Sequence, residues 1–212
     1  MIFKSRKSSA AAGVKDRYKV AIVAPTCFYY QVDLFRALTT NPRIDLQVYF
    51  CSMEGVTAQD VLQNYQIDAN WGEGDELFEG YEHKFLKNYS PFPSYLKSIV
   101  GLANLGIWND IRVSRPDIVV VMSWMNPTWW ISMLACVQFR IPFFLMTDAN
   151  VAGDRSNARW KRWIKKLALG MGLFRWTSGF LCAGTANRNL FRSYGVPDWK
   201  LLPFAYSWGY KD

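Results

Sequence analysis

Apolar residues in this chain come in short β-branched runs that alternate with longer stretches of helical spacing. Tyr18 to Ala24 (YKVAIVA) is the first run; Pro25 ends it, and it reads as a buried strand. Gln31 to Thr40 carries Leu34, Phe35 and Leu38 at helical spacing, and Asn41-Pro42 breaks that helix. Ile44 to Cys51 predicts a second strand, the polar, glycine-rich stretch from Ser52 to Gly80 a long loop region, and Tyr81 to Leu86 a third strand. From Ser94 to Ser114, Leu96, Ile99, Val100, Leu102, Ala103, Ile107 and Ile111 predict one long helix, closed by Arg115-Pro116-Asp117. Ile118 to Met122 is a fourth strand, Thr128 to Phe139 a helix, and Pro142 to Thr147 a fifth strand. Asn157 to Trp176 predicts a helix and Gly179 to Ala183 a sixth strand; Thr185 to Tyr194 predicts a helix closed by Gly195 at C′. The run from Val196 to Tyr206 reads as a last strand and the start of a crossover. Strands alternating with helices imply an α/β fold: a Rossmann-like, doubly wound, mainly parallel sheet with helices on both faces.

The stretch from Ile118 to Phe139 holds no charge and is long enough to span a bilayer. Asn126-Pro127 sits in its middle, and a β-branched half precedes a helical half, so a strand–loop–helix of a buried core explains it better. The chain has 212 residues, enough for one sizeable core. Residues 1–17 are basic and rich in small residues and lack an apolar core, so they read as a disordered arm rather than a secretory signal. The four cysteines form no C-x-x-C pair; three fall within or at the end of strand-like runs and read as buried free thiols. With a single histidine and no cysteine pair, no metal site is expected, and no cofactor.

In doubly wound sheets ligands bind at the C-terminal ends of the strands, near the topological switch point. The first such loop, PTCFYYQVD, contains no glycine, so its backbone cannot close on a pyrophosphate as the dinucleotide fingerprint does. Tyr29, Tyr30, Gln31 and Asp33 suit stacking on, and hydrogen bonding to, a sugar or polar acceptor; alternatively Asp33 only steadies a helix start. After the fourth strand come Trp124 and Asn126, and after the fifth Asp148, Asn150 and Arg155. Asp148 is the candidate catalytic carboxylate, placed to orient or deprotonate an acceptor hydroxyl; the alternative is a turn or helix cap. His83 alternates with Tyr81 and Phe85 and reads as a packed structural histidine.

Net charge is +8, and aromatic residues make up 17% with 10 tryptophans, which suggests exposed rings at a sugar cleft or a membrane interface. In the predicted helix after Arg155, Trp160, Trp163, Ile164, Leu167, Met171 and Phe174 fall on one face. Arg159, Lys161, Arg162, Lys165 and Lys166 fall on the other, and every charged residue from Arg155 to Pro197 is basic. Such a face suits an anionic membrane surface or is simply solvated. No zinc finger, helix-turn-helix or RNP-like segment is present, so nucleic acid is not an expected partner.

The pattern from Tyr18 onward resembles the N-terminal domain of GT-B glycosyltransferases of the glycosyltransferase-4-like type. The resemblance rests on YKVAIVAPTCFYYQVDLFRAL, GYEHKFLKN, RPDIVVVMSW, IPFFLMTDANVAGDR and LCAGTANRNLFRSYGVPDWKLLPFAY. It implies a single half of a GT-B fold over residues 18–204, with 205–212 beginning a crossover to a donor domain absent from this chain. It also implies the acceptor-binding half of a retaining enzyme that moves a sugar from a nucleotide diphosphate sugar to a glycan or lipid-linked acceptor. The nucleotide sugar would bind only through that donor domain. Where many relatives carry a histidine after the fourth strand, this chain has Ser123-Trp124-Met125-Asn126-Pro127. The expected location is cytoplasmic, peripheral on the inner face of the membrane. A second reading is a non-catalytic membrane-surface or partner-binding module derived from an orphaned half.

Overall fold

The structure, a computed structural model, describes residues 15–54, 74–94, 100–147 and 174–205. Seven strands form one sheet: β1 (Tyr18–Ala24), β2 (Ile44–Phe50), β3 (His83–Phe85), β4 (Ile118–Val121), β5 (Phe143–Thr147), β6 (Gly179–Cys182) and β7 (Leu201–Pro203). Their order is β3-β2-β1-β4-β5-β6-β7, and every pairing is parallel. Among the described residues the helices longer than one turn are α1 (Tyr29–Thr40), α2 (Gly106–Ser114), α3 (Pro127–Phe139) and α4 (Thr185–Ser193). This is the Rossmann-like α/β sheet that the periodicity predicts.

Strand alternation feeds two cores. From β1, Ala21 and Val23 point to a core that takes Ile107 and Ile111 of α2, Met133 and Cys136 of α3, and Leu190 and Phe191 of α4. Ile22 and Ala24 point to the other core, with Val32 and Phe35 of α1 and Leu77 of the 3-10 turn Gly74–Phe78. Burial on both faces is why these strands read as continuous apolar runs. The uncharged stretch from Ile118 divides into β4, a loop and α3, with Pro127 at the first helical positions. Among the described residues no helix is long and apolar enough to cross a membrane. His83 sits as the alternation predicts, with ring centroids 5.2 Å from Phe78, 5.8 Å from Tyr81 and 5.9 Å from Phe85.

The helix expected from Ser94 to Ser114 is shorter than its apolar spacing suggests: the described helical part begins at Gly106. The reason is backbone hydrogen bonding. The amides of Leu102, Ala103 and Asn104 donate to the side chains of Asn126 (3.1 Å), Asn88 (2.9 Å) and Thr128 (2.9 Å). Amides committed to distant side chains are not free to build helical i→i−4 bonds. At the other end of the fold Gly195, with φ +86°, closes α4 as expected. Its N–H reaches the Arg192 carbonyl (2.9 Å), and that of Val196 reaches the Phe191 carbonyl (3.2 Å), the bonding of a Schellman motif.

All four cysteines are free and buried. Burial pushes the Cys27 thiol up to about 11 and that of Cys136 to about 12, so both are neutral packing groups at physiological pH.

Gly179 opens β6 directly opposite Phe144 of β5. A Cβ built there would lie 2.8 and 2.9 Å from two carbons of the Phe144 ring. Gly179→Ala is therefore expected to lose about 1–3 kcal/mol through overpacking, read as a lower thermal midpoint. Phe144→Leu in the same chain should recover part of the loss. A parental midpoint in the single variant would show that the ring moves aside freely.

Candidate functional site

β1 pairs with β2 on one side and β4 on the other. The chain leaves β1 toward α1, on the second core's face, and leaves β4 toward α3, on the first core's face. Connections that diverge to opposite faces mark a topological switch point and open a crevice at the C-terminal strand ends. Its two walls are the loop from Pro25 to Phe28 with the first turn of α1, and the loop from Met122 to Asn126 with the start of α3.

The first wall is aromatic and polar. Phe28 and Tyr30 stack with centroids 5.4 Å apart and planes 15° apart, and Tyr29 meets Tyr30 edge-on at 5.5 Å. All three are half-buried. α1 begins at Tyr29 without a side-chain cap. The same wall holds two buried side-chain oxygens with no hydrogen-bond partner: the hydroxyl Oγ1 of Thr26, 0% exposed, and the amide Oε1 of Gln31, 2% exposed. A buried polar atom left unpaired costs about 1–3 kcal/mol, and such atoms in a native fold call for an explanation. Cys27 sits between them as structural filling, its Sγ 3.6 Å from the Tyr81 hydroxyl, which itself donates to the Leu77 carbonyl (2.6 Å).

The second wall differs from the expectation for its two named residues. Trp124 is 8% exposed, and its ring packs against Phe174 (5.5 Å), Phe191 (5.6 Å) and Tyr194 (6.3 Å). Its indole is a core group, and its carbonyl accepts from Trp130 Nε1 (2.9 Å). The Asn126 side chain is also committed, since Oδ1 accepts the Leu102 amide. Both residues shape the wall from behind. Met125 between them is exposed.

Asp33 is past the first turn of α1, on its outer side, 3.9 Å from Arg36. It lies beyond the first helical turn and so does not steady the helix start. Asp148, Asn150 and Arg155 lie outside the described residues, as do Arg159, Lys161, Arg162, Lys165 and Lys166. Asp148 follows the last residue of β5 in the sequence.

Beneath the crevice runs a polar seam that sequence reading missed. Asn104, 0% exposed, donates from Nδ2 to the carbonyls of Cys51 (3.0 Å) and Leu86 (3.1 Å), which follow β2 and β3. Its Oδ1 accepts the Thr128 hydroxyl (2.8 Å) at the start of α3. Asn88 adds Nδ2 to the Gly101 carbonyl (2.8 Å). The seam ties the C-terminal ends of β2 and β3 to the start of α3. An asparagine in an apolar run, LANLG, was its sequence signal.

A scan against protein-family models finds no match, and no curated protein sequence matches. Solved structures do. A UDP-N-acetylglucosamine 2-epimerase aligns with a TM-score of 0.55 at 15% identity, over 87% of this chain and 47% of that one. The lipopolysaccharide outer core galactosyltransferase WaaB, in its apo form, aligns with a TM-score of 0.52 at 10% identity, over 87% and 44%. HepE from Anabaena, solved in complex with UDP and glucose, aligns with a TM-score of 0.52 at 11% identity, over 91% and 45%. The chain spans about half the length of these proteins, and at such identities the likeness concerns the fold. The described sheet is therefore one GT-B-like, Rossmann-type domain.

Proposed function

We propose that this chain is the acceptor-binding half of a retaining glycosyltransferase. It would receive a sugar from a nucleotide diphosphate sugar held by a second Rossmann-like domain, on the same longer chain or on a partner, and pass it to a glycan or lipid-linked acceptor. The observation that carries the reading is the first crevice wall: a glycine-free loop with stacked tyrosines and two unpaired buried side-chain oxygens. The unpaired Gln31 oxygen asks for a hydroxyl donor, the Thr26 hydroxyl can both donate to and accept from a sugar hydroxyl, and ring faces suit a sugar's apolar C–H face. Tyr29, Tyr30 and Gln31 would hold the acceptor, with Asn150 and Arg155 completing the site. Asp148 would take the proton of the attacking hydroxyl. Among the solved neighbours, a galactosyltransferase and a protein held in complex with UDP and glucose are consistent in kind.

The test is to incubate the purified chain with a panel of UDP and GDP sugars. The expected result is no sugar transfer and no micromolar nucleotide binding. Turnover by this chain alone would overturn the half-enzyme reading.

Peripheral association with anionic membranes is a second part of the proposal, assigned to the basic face of Arg159, Lys161, Arg162, Lys165 and Lys166. Just beyond that segment, Trp176 (54% exposed) and Trp199 (73% exposed) flank Lys200. The Lys200 Nζ donates to the Arg175 (3.1 Å) and Thr177 (2.7 Å) carbonyls and lies 5.3 Å over the Trp199 ring. Exposed tryptophans beside cations suit a headgroup region. At roughly 1 kcal/mol per basic side chain, binding should be reversible and weaken with salt. Liposome co-sedimentation should need phosphatidylglycerol and should fall when Lys161, Arg162, Lys165 and Lys166 become Gln. Equal binding to neutral vesicles would show the face to be merely solvated.

A further inference from the structure

Among the described residues, those that hold positive φ without being glycine are both arginines: Arg115 (φ 46°) and Arg140 (φ 57°). Arg115 is the C-cap of α2, and Arg140 is the C-cap of α3. A left-handed residue in this place is usually glycine, which has no Cβ to crowd the backbone, and sometimes asparagine. Arginine gives no relief of that crowding. A cation at a helix C-terminus does meet the negative end of the dipole. α2, however, already carries Arg112 in its last turn, where the backbone is helical. Capping alone therefore leaves the strained arginines unexplained, and a backbone outlier of this kind points to a use.

The surface around them is aromatic and basic. The Phe139 ring has Trp108 edge-on at 5.6 Å and the Arg115 guanidinium 4.9 Å over it. Arg115 Nη1 also donates to the Phe139 carbonyl (3.5 Å), which joins the ends of the two helices. Arg112 stands one turn after Trp108 on α2, and both are exposed; Val113 beside them is 70% exposed. Arg115 and Arg140 are exposed as well. Among the described residues no carboxylate answers these cations. Asp110 is held by Lys84 (2.7 Å), and Asp117 by Lys15 and by the Lys19 amide (2.9 Å). Arg112 Nη2 reaches the neutral Asn109 side chain (2.7 Å). From Pro127 to Phe139, α3 carries no charge at all. The complement of exposed rings and an aliphatic side chain among uncompensated guanidinium groups is a surface both apolar and anionic. A second copy of a chain of net charge +8 would bring cations against cations. An acidic peptide would answer the arginines but offers no apolar depth for Trp108 and Val113.

We infer that this patch docks on an anionic lipid bilayer, with Arg112, Arg115 and Arg140 at the headgroups and Trp108 and Val113 at the acyl boundary. Arg115 and Arg140 lead into β4 and β5, so the patch lies toward the end of the sheet away from the crevice, and docking leaves the crevice open. The inference does not rest on the acceptor reading. It gives the peripheral association proposed above a second contact, on residues outside the basic face at 159–166.

The test is co-sedimentation of the full chain with phosphatidylcholine vesicles, with and without phosphatidylglycerol, alongside the thermal midpoint of each variant. Arg115→Gly combined with Arg140→Gly should leave the midpoint unchanged or raised, because glycine accepts positive φ. The same pair should weaken partition into phosphatidylglycerol vesicles about tenfold, two lost cations at roughly fivefold each less screening. Arg115→Lys combined with Arg140→Lys keeps the charge and should retain most of the partition. Trp108→Ser should weaken it by a smaller factor, through loss of the interfacial ring. Unchanged partition in the glycine pair would overturn the inference. If partition is at the same time lost when Lys161, Arg162, Lys165 and Lys166 become Gln, the association belongs to that segment alone. Capture of poly-glutamate as tightly as of vesicles, lost in the glycine pair, would assign the patch to an acidic protein segment and overturn the lipid assignment. No partition of the parent chain into either vesicle would overturn both membrane contacts.

Discussion

Replacing Asn104 by leucine is expected to lower stability by about 3–5 kcal/mol, a large effect for one surface-free substitution. The leucine fits in volume but removes every hydrogen bond the side chain makes. The carbonyls of Cys51 and Leu86 lose this donor, and the O–H of Thr128 loses its acceptor, in a site that is 0% exposed. Each abandoned buried group costs about 1–3 kcal/mol. For a domain of this size the thermal midpoint should fall by about 10 °C. Thr128→Val should be milder, about 1–2 kcal/mol, because the Asn104 Nδ2 bonds survive. The double variant should lose less than the sum, since the two side chains share a bond. A loss below about 1 kcal/mol in Asn104→Leu would mean that the seam does not hold the strand ends together.

The second large effect concerns transfer. With a donor-bearing domain supplied, Asp148→Ala is expected to reduce the rate by about 10²–10⁴, the range for a lost general base. Tyr30→Ala should act on acceptor binding instead, by about 3–10-fold, as loss of a stacking face does. Gln31→Leu separates site from scaffold. Removing an unpaired buried acceptor should stabilise the free chain, while removing a ligand partner should weaken acceptor binding. A variant that gained stability and bound acceptor normally would remove Gln31 from the site. Transfer rates in Asp148→Ala equal to the parent would remove Asp148 from the chemistry.

The strands were legible because both sheet faces are buried, so β1, β4 and β5 show as unbroken apolar runs. Gly195 was legible because the end of α4 needs positive φ. The helix before Gly106 was misread: Val100, Leu102 and Ala103 have helical spacing, but the Asn88, Asn126 and Thr128 side chains claim the amides of residues 102–104. Those partners lie up to 24 residues away, beyond the reach of any periodicity argument. Trp124 was misread for a related reason. A tryptophan in a strand-end loop looks like a sugar platform, and only the Phe174, Phe191 and Tyr194 rings around it reveal a core position. Thr26 did not stand out, because an unpaired hydroxyl is invisible until its surroundings are known. The aromatic wall at Tyr29 and Tyr30 could be read from the sequence because a glycine-free first loop is itself informative.

The central claim is that the β1–β4 crevice binds a sugar acceptor rather than a nucleotide. Amide NMR of the labelled chain, titrated in parallel with a panel of methyl glycosides and with UDP, tests it most directly. The account expects at least one glycoside to shift resonances of Thr26 to Gln31 and of Met122 to Asn126 in a saturable way, with the glycoside response lost in Tyr30→Ala. Tight UDP binding along Pro25 to Gln31, or glycoside shifts confined to other parts of the sheet, would contradict it.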